Sequence, residues 1–139
     1  MLIVAGFAVA ALWWRFDYVF PSGVAAKLGT AAQPGNSIEL AQLTTFEWDR
    51  VVFLGPYTDR ERAETALQVS WPEFPLFGLE SGDSFSLIAF VRGSRITQVE
   101  RIVRCQPDFD AKMLEMPILK ANARFRFVAG DGCTAMVVA

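Results

Sequence analysis

Two carboxylates lie on residues 46–58, the stretch of the chain that most strongly favours a β-strand. Glu47 and Asp49 are two positions apart, so in a strand their side chains share one face at a separation of roughly 7 Å. Two acids at such a distance can carry out general acid–base chemistry, as they do in glycosidases. Paired acids on a strand are also typical of a solvated edge. The pair therefore supports a catalytic hypothesis, a hydrolase that works without histidine, and a structural hypothesis beside it.

The chain contains no histidine among its 139 residues. This excludes histidine general bases, Ser-His-Asp and Cys-His nucleophile pairs, and the commonest metal ligand. The two cysteines, Cys105 and Cys133, cannot make a structural zinc site alone, and no Cys-x-x-Cys spacing indicates a redox-active pair. They could form one disulfide in an oxidising compartment or stay as two buried free thiols. We predict the disulfide for an envelope location, and no metal or cofactor.

Arginines are frequent on the strands predicted in the C-terminal half of the chain. Arg124 and Arg126 share one face of a strand, and Phe125 and Phe127 share the other. Such a row is typical of a solvated sheet face whose charges pair across strands, with Glu100 as one candidate partner. It also suits an acidic partner or anionic lipid headgroups. Arg124 and Arg126 are therefore candidate binding residues.

The scaffold for these side chains is predicted to centre on the strand within residues 46–58. Both faces of that strand become apolar toward its end, which indicates deep burial, and Gly55-Pro56 terminates it. Thr58 and Glu61 form a Thr-x-x-Glu capping box, which predicts a helix from residue 59 to about residue 70. The residues at spacings of three and four should form its buried face: Ala63, Ala66, Leu67 and Ser70.

Alternating apolar residues in the C-terminal half predict further strands. Residues 84–91 and 96–103 flank a turn and should form a hairpin, followed by strands over 124–128 and 133–138. Strands and helices do not alternate, which argues against a parallel sheet. The predicted fold class is α+β: a mostly antiparallel sheet of about five strands with one main helix, preceded by an N-terminal membrane-anchor helix.

The first twenty residues predict that anchor. They carry no charge as far as Trp14, and Trp13 and Trp14 suit a membrane–water boundary. A helix over residues 1–20 would span about 30 Å, the thickness of the hydrocarbon core. The alternatives are a buried helix of a soluble core and a cleaved signal peptide. Residues 21–33, rich in Gly, Ala, Pro and Ser, are predicted to be a linker, and residues 34–139 a globular α+β domain.

One stretch of the sequence resembles a known group of proteins. Small, uncharacterised bacterial envelope proteins, many of them lipoprotein-like, carry a Trp-Asp-x-Val-aromatic-x-x-Pro-Tyr core. That core is similar to Trp48-Asp49-Arg50-Val51-Val52-Phe53-Leu54-Gly55-Pro56-Tyr57, which follows Leu43-Thr44-Thr45-Phe46 and precedes the predicted helix. Val52 departs from the pattern by replacing an aromatic residue, and no lipobox cysteine is present. The resemblance implies a bacterial origin and an envelope location, and it implies no activity.

The same stretch contains three candidate binding residues, Trp48, Arg50 and Tyr57. Aromatic and arginine side chains are common anchors of binding surfaces, and these three could line a groove. The structural alternative places Trp48 in the core, lets Asp49 fix a turn or pair with Arg50, and packs Tyr57 with its hydroxyl at the edge.

Together these features favour a non-enzymatic binding module over an enzyme. A net charge of −2 argues against nucleic-acid binding. We predict a domain anchored in the bacterial inner membrane through residues 2–20, facing the periplasm and binding a protein partner, for example as an immunity or inhibitor protein. Arg15, in the last part of the anchor, and Lys27, after it, favour a cytoplasmic domain by the positive-inside rule. The resemblance and the predicted disulfide favour the periplasm instead. The alternatives are the histidine-independent hydrolase and a structural envelope protein.

Overall fold

The computed structural model describes residues 22–139, so the predicted anchor over residues 1–20 lies outside the described residues. The described part contains two helices and eight strands. These elements are α1 (Val24–Ala31), β1 (Ser37–Glu39), β2 (Arg50–Leu54), α2 (Arg60–Leu67), β3 (Phe85–Arg92), β4 (Arg95–Val103), β5 (Asp108–Phe109), β6 (Ile118–Leu119), β7 (Arg124–Ala129) and β8 (Thr134–Val138). No helix within this part is long and apolar enough to cross a bilayer.

The strands form two four-stranded sheets rather than one. The central sheet has the order β4-β3-β2-β6 and is antiparallel throughout. The outer sheet has the order β1-β7-β8-β5 and is antiparallel except for the β5–β8 pair. The predicted class, α+β with mostly antiparallel pairing, is confirmed. The prediction of a single sheet of about five strands with one main helix was wrong, because β1, β5 and β6 are too short to show an alternating pattern.

Strand β2 lies in the middle of the molecule, and its residues from Val51 onward are fully buried. Val51 and Phe53 face the core between the two sheets. Val52 and Leu54 face a second core on the other side of the central sheet, beneath α2. The prediction of deep burial is confirmed, although the strand begins at Arg50 rather than at residue 46. The fold is therefore three layers deep: outer sheet, central sheet and α2.

Helix α2 begins one residue later than the capping box predicted. Its N-cap is Asp59, whose Oδ1 accepts a hydrogen bond from the backbone N–H of Arg62 at 2.8 Å. Thr58 is buried instead, and its hydroxyl donates to the carbonyl of Gly55 at 2.6 Å. The helix ends at Leu67 because Gln68 takes a left-handed conformation with φ +56°. The predicted buried face is confirmed for Ala63, Ala66 and Leu67, while Ser70 lies beyond the helix.

Helix α1 occupies a segment that the sequence predicted to be linker. Val24 and Leu28 lie one helical turn apart and are fully buried in the core between the sheets, and the helix packs beside β4. Composition suggested a flexible chain here, but two apolar residues at the right spacing are enough to dock a short helix on a core. The linker prediction is therefore corrected for Val24–Ala31, which belongs to the folded domain.

The predicted hairpin and disulfide are both present. Strands β3 and β4 pair over their full length, with one register shift between Phe90 and Val91. Cys105 follows β4 and Cys133 precedes β8; they are disulfide-bonded, with their Cα atoms 5.0 Å apart. The cross-link joins the end of the central sheet to the β7–β8 hairpin of the outer sheet. For a separation of 28 residues, the chain-entropy estimate of its stabilisation is about 3–4 kcal/mol.

Candidate functional site

Trp48 lies in the core between the two sheets. Its side chain is 3% exposed and packs edge-to-face against Phe90, with ring centroids 5.1 Å apart. Its indole N–H donates to the hydroxyl of Thr44 at 2.9 Å. Because the ring is enclosed and its donor is satisfied, Trp48 supports the fold and is not placed to contact a partner directly.

Arg50 ties three parts of the chain together. Its guanidinium donates to the carbonyl of Leu67 at 2.8 Å, at the end of α2, and to the carbonyl of Gly93 at 2.9 Å, in the β3–β4 turn. It also pairs with Asp49 at 3.1 Å, and its side chain is only 15% exposed. These donors are engaged within the protein, so Arg50 fixes α2 and the turn against β2.

The two acids considered as a catalytic pair both hold the β3–β4 turn. Asp49 Oδ2 accepts a hydrogen bond from the backbone N–H of Gly93 at 2.6 Å. Glu47 forms an ion pair with Arg92. Each carboxylate thus has a structural partner at the same turn. Glu47 and Asp49 are two residues apart, and this spacing lets both carboxylates contact the β3–β4 turn.

Tyr57 is the exposed candidate in this stretch. Its side chain is 58% exposed, and its backbone takes a left-handed conformation with φ +64°. Its N–H donates to the carbonyl of Leu79 at 2.9 Å, which fixes the turn before α2. In the part of the chain that the structure describes, no hydrogen bond, ion pair or ring contact joins Tyr57 to Arg124 or Arg126. The five candidate binding residues differ in exposure: Trp48 is buried, Arg50 is half-buried, and Tyr57, Arg124 and Arg126 are exposed.

The alternation predicted around Arg124 and Arg126 is confirmed. Phe125 and Phe127 point into the core between the sheets, and the two arginines are exposed on the outer face of β7. Arg124 pairs with Glu39 on the neighbouring strand β1, with a Nε–Oε1 distance of 3.3 Å. Within residues 22–139 the guanidinium of Arg126 has neither an ion pair nor a hydrogen bond.

Glu100, proposed from the sequence as a cross-strand partner for the arginines, lies elsewhere. It is buried on β4, where its carboxylate accepts hydrogen bonds from the backbone and hydroxyl of Ser22 and from the amide of Gln98. That expectation was wrong because β4 belongs to the central sheet. Its carboxylate fixes the start of the α1 segment instead.

Two hollows flank the Arg124–Glu39 pair, and both residues line both of them. The first, of about 370 Å³, is lined by Ser37, Ile38, Glu39, Gln42, Leu43, Arg124, Phe125 and Ala139. The second, of about 490 Å³, is lined by Glu39, Ala41, Lys120, Ala121, Ala123 and Arg124. The pair therefore forms a ridge between two concave surfaces.

Two lysines add positive charge beside these hollows. Lys27 on α1 donates to the carbonyl of Leu43, which lines the first hollow, at 3.3 Å. Lys120 lines the second hollow, and its ammonium lies 5.3 Å from the ring centroid of Trp48. We call the surface formed by the two hollows and by Lys27, Lys120, Arg124, Arg126 and Glu39 the arginine face. The sequence did not predict a binding role for either lysine, because Lys27 lies in the predicted linker and Lys120 lies in a stretch without clear periodicity.

Glu64 on α2 has an altered acidity. The backbone N–H of Trp71 donates to its carboxylate at 2.8 Å, and this bond lowers the pKa of Glu64, with a further contribution from Arg60 at 2.7 Å. Both bonds favour the ionised carboxylate. Glu64 thereby holds the segment that follows α2 against the helix, which is a structural role.

Comparisons with protein-family models, with curated proteins and with solved structures find no match to this chain. The resemblance of residues 48–57 to bacterial envelope proteins therefore stays a prediction.

Proposed function

We propose that this chain is a membrane-anchored bacterial envelope protein that binds an acidic protein partner through the arginine face and catalyses no reaction. The supporting observation is the charge around the two hollows, where Arg124 and Lys120 are lining residues and Glu39 is the only acidic side chain among the described residues that line either hollow. Lys27 contacts Leu43 beside the first hollow, and Arg126 is exposed two residues after Arg124 on β7. Residues 2–20 would provide the anchor. The Cys105–Cys133 bond favours a periplasmic domain, because disulfides persist in oxidising compartments.

Arg126 is the side chain best suited to anchor the partner. An arginine guanidinium can donate two parallel hydrogen bonds to one carboxylate, and such charge-assisted pairs are stronger than neutral ones. Because Arg126 has no ion pair or hydrogen bond within the described residues, a partner carboxylate would not have to displace an internal one there. Arg124 differs, since a partner would compete with Glu39 for it.

The lysines would act mainly on the rate of association. Lys27 and Lys120 are exposed and carry compact charges on flexible stems. Exposed charges at the edge of an interface attract an oppositely charged partner over a distance that salt shortens. The proposed complex should therefore form faster at low than at high ionic strength.

The scaffold beneath the arginine face is suited to an inhibitor or immunity protein. Arg124 and Arg126 lie on β7, which pairs on both sides, with β1 and with β8, and their neighbours Phe125 and Phe127 are buried. A surface on such a strand loses little conformational freedom on binding, and this favours affinity. A secreted toxin or an envelope enzyme with an acidic surface is the kind of partner we propose.

The test is a crosslinking pull-down from native membranes with wild-type protein and Arg126→Glu. We expect the variant to lose its partner by about tenfold or more, because a carboxylate replaces a charge-assisted donor and repels the partner. Arg95→Glu is the matched control, since Arg95 is also exposed but is the first residue of β4 in the central sheet. Circular dichroism checks that both variants fold.

Equal recovery of a partner by wild type and Arg126→Glu would refute the arginine face as the binding surface. A captured partner with a basic contact surface would refute the proposed chemistry. Recovery of no partner at all would favour the structural envelope protein instead.

A further inference from the structure

Three potential metal ligands meet where β4, β5 and β8 approach one another. The Sγ atoms of Cys105 and Cys133 and a carboxylate oxygen of Asp108 all lie within 4.8 Å of one another. Strand β5 pairs with β8 and places Asp108 opposite Ala135, two residues after Cys133. We propose that this corner binds a zinc ion once its disulfide has been reduced. This inference does not depend on the proposed binding partner.

The two cysteines are held in place by hydrogen bonds other than the disulfide. The N–H of Cys105 donates to Asp108 Oδ1 at 2.7 Å, and the next residue, Gln106, donates to the carbonyl of Val103 at 3.1 Å. The carbonyl of Cys133 accepts from the N–H of Gly130 at 2.8 Å and closes the β7–β8 turn. Because each turn is closed by its own bonds, the two thiols should stay adjacent after reduction.

Asp108 is oriented as a ligating carboxylate. Its Oδ1 accepts from the N–H of Cys105 and from Nε of Arg104 at 3.2 Å. Its other oxygen makes no hydrogen bond within residues 22–139. Hydrogen bonds of this kind fix the direction of a carboxylate that binds a metal through its second oxygen. Arg104 also supplies a positive charge next to the site.

The chemistry of the ligands selects zinc. Thiolates bind zinc strongly, whereas calcium and magnesium prefer sites built from oxygen alone. With zinc–sulfur bonds of about 2.3 Å, the sulfurs of a tetrahedral site lie about 3.8 Å apart. The two sulfurs are bonded to each other in the oxidised form, so they must move apart on reduction before they can bind zinc together. Two thiolates, one carboxylate, one zinc ion and the Arg104 guanidinium sum to zero charge. The fourth zinc position would be occupied by water.

The conversion is a two-electron exchange. A small dithiol reductant breaks the sulfur–sulfur bond, gives Cys105 and Cys133 one hydrogen each, and becomes a cyclic disulfide. Zinc then replaces the two thiol protons, which pass to water. Cys105 is exposed, so the reductant can reach the bond. Cys105 and Cys133 would thus be joined by a disulfide under oxidising conditions and by a bound zinc ion under reducing conditions.

The test is a zinc titration of the full-length chain after reduction with a phosphine and removal of the reductant, followed by metal analysis of the washed protein. We expect one zinc ion per reduced chain and none per oxidised chain. Asp108→Asn should weaken zinc binding about tenfold or more, whereas Asp131→Asn should leave it unchanged. Asp131 is a matched control because it is exposed and lies in the same turn as Cys133 but outside the cluster. Cobalt substitution provides a spectroscopic check for thiolate ligation.

Any of three results would contradict the proposed zinc site. One is zinc binding by the reduced wild type that is no tighter than binding by a Cys105→Ser, Cys133→Ser double variant. Another is binding that Asp108→Asn and Asp131→Asn weaken equally. The third is a reduced wild type that stays unfolded by circular dichroism with and without zinc, because the turns would then fail to hold the thiols together.

Discussion

Glu47, Asp49 and Arg50 were candidates for catalysis or binding, and all three side chains make contacts that stabilise the fold. Asp49 accepts a hydrogen bond from the N–H of Gly93, and Arg50 donates to the carbonyl of the same residue, so the peptide groups on both sides of Gly93 are fixed. Glu47 pairs with Arg92 beside them. The side chain of Arg50 is largely buried, and burial of its guanidinium is tolerated because its hydrogen bonds are made within the chain. Arg126 differs from these residues, because its guanidinium has no ion pair or hydrogen bond within residues 22–139, and it is therefore the proposed binding residue.

Glu64 carries the first prediction, on pH dependence. Its folded-state pKa is lowered, so its contribution to stability is present above the unfolded-state pKa of the carboxyl and is lost as pH falls through the folded-state value. Glu64→Gln should therefore destabilise the protein at neutral pH, and the difference from wild type should shrink at an acidic pH below the lowered folded-state pKa of Glu64, where the wild-type carboxyl is protonated. Urea unfolding at the two pH values measures this.

Asp83→Asn is the control for Glu64, because Asp83 is exposed and its carboxylate has no partner within the described residues. It should change stability little at either pH. A Glu64→Gln deficit that is equally large at both pH values would contradict the assigned role of the ionised carboxylate.

The start of helix α2 is set by the side chain that caps it. The Thr-x-x-Glu pattern marked the start of α2 correctly to within a residue, but Thr58 turns inward and donates to Gly55. Asp59 then takes the N-cap position because its carboxylate reaches the N–H of Arg62. Asp and Thr are both good N-caps, so two adjacent candidates cannot be separated by type alone. Burial of the Thr58 side chain decides between them.

Asp59 gives a prediction at this scale. Asp59→Ala should lower the free energy of unfolding by about 1 kcal/mol, the usual effect of losing an N-cap. Glu61→Ala should change it by less than about 0.5 kcal/mol, because Glu61 is exposed and does not cap the helix. Thermal and urea unfolding at neutral pH measure both. If Glu61→Ala lowered the free energy of unfolding more than Asp59→Ala, the Thr58–Glu61 capping box would be supported instead.

The whole molecule is built around a central sheet that is buried on both faces. The residues on the two sides of β2 form two separate hydrophobic cores. Helix α1 contributes Val24 and Leu28 to the core between the sheets. The cross-link between Cys105 and Cys133 ties the two sheets at one end. The remaining open surface of the outer sheet carries the arginine face. The proposed binding surface and the proposed zinc site thus both depend on how the outer sheet is docked.

Leu28 tests whether α1 is part of the folding unit. Leu28→Ala should lower the free energy of unfolding by about 2–5 kcal/mol, as expected for a fully buried leucine. Thr30→Ala should have an effect of less than about 0.5 kcal/mol, because Thr30 is exposed on the same helix. Denaturant unfolding of both variants measures the difference. If Leu28→Ala matched Thr30→Ala, the segment would behave as the linker that its composition suggested.

Elements with a local pattern could be located from the amino-acid sequence. Two-residue alternation located β3, β4 and β7, and three- and four-residue spacing located the buried face of α2. The same alternation placed Arg124 and Arg126 outside and Phe125 inside. These features follow from the geometry of a strand or a helix, in which neighbours a few residues apart decide which side is buried.

Features that depend on residues far apart in the chain became visible in the folded structure. Strands β1, β5 and β6 exist because a longer strand beside each one offers hydrogen bonds, and two or three residues carry no pattern of their own. The arginine face gathers Lys27 and Lys120 around Arg124, and the pairing of β5 with β8 brings Asp108 to the two cysteines. Such groupings arise from sheet register and docking, which no short window of sequence contains.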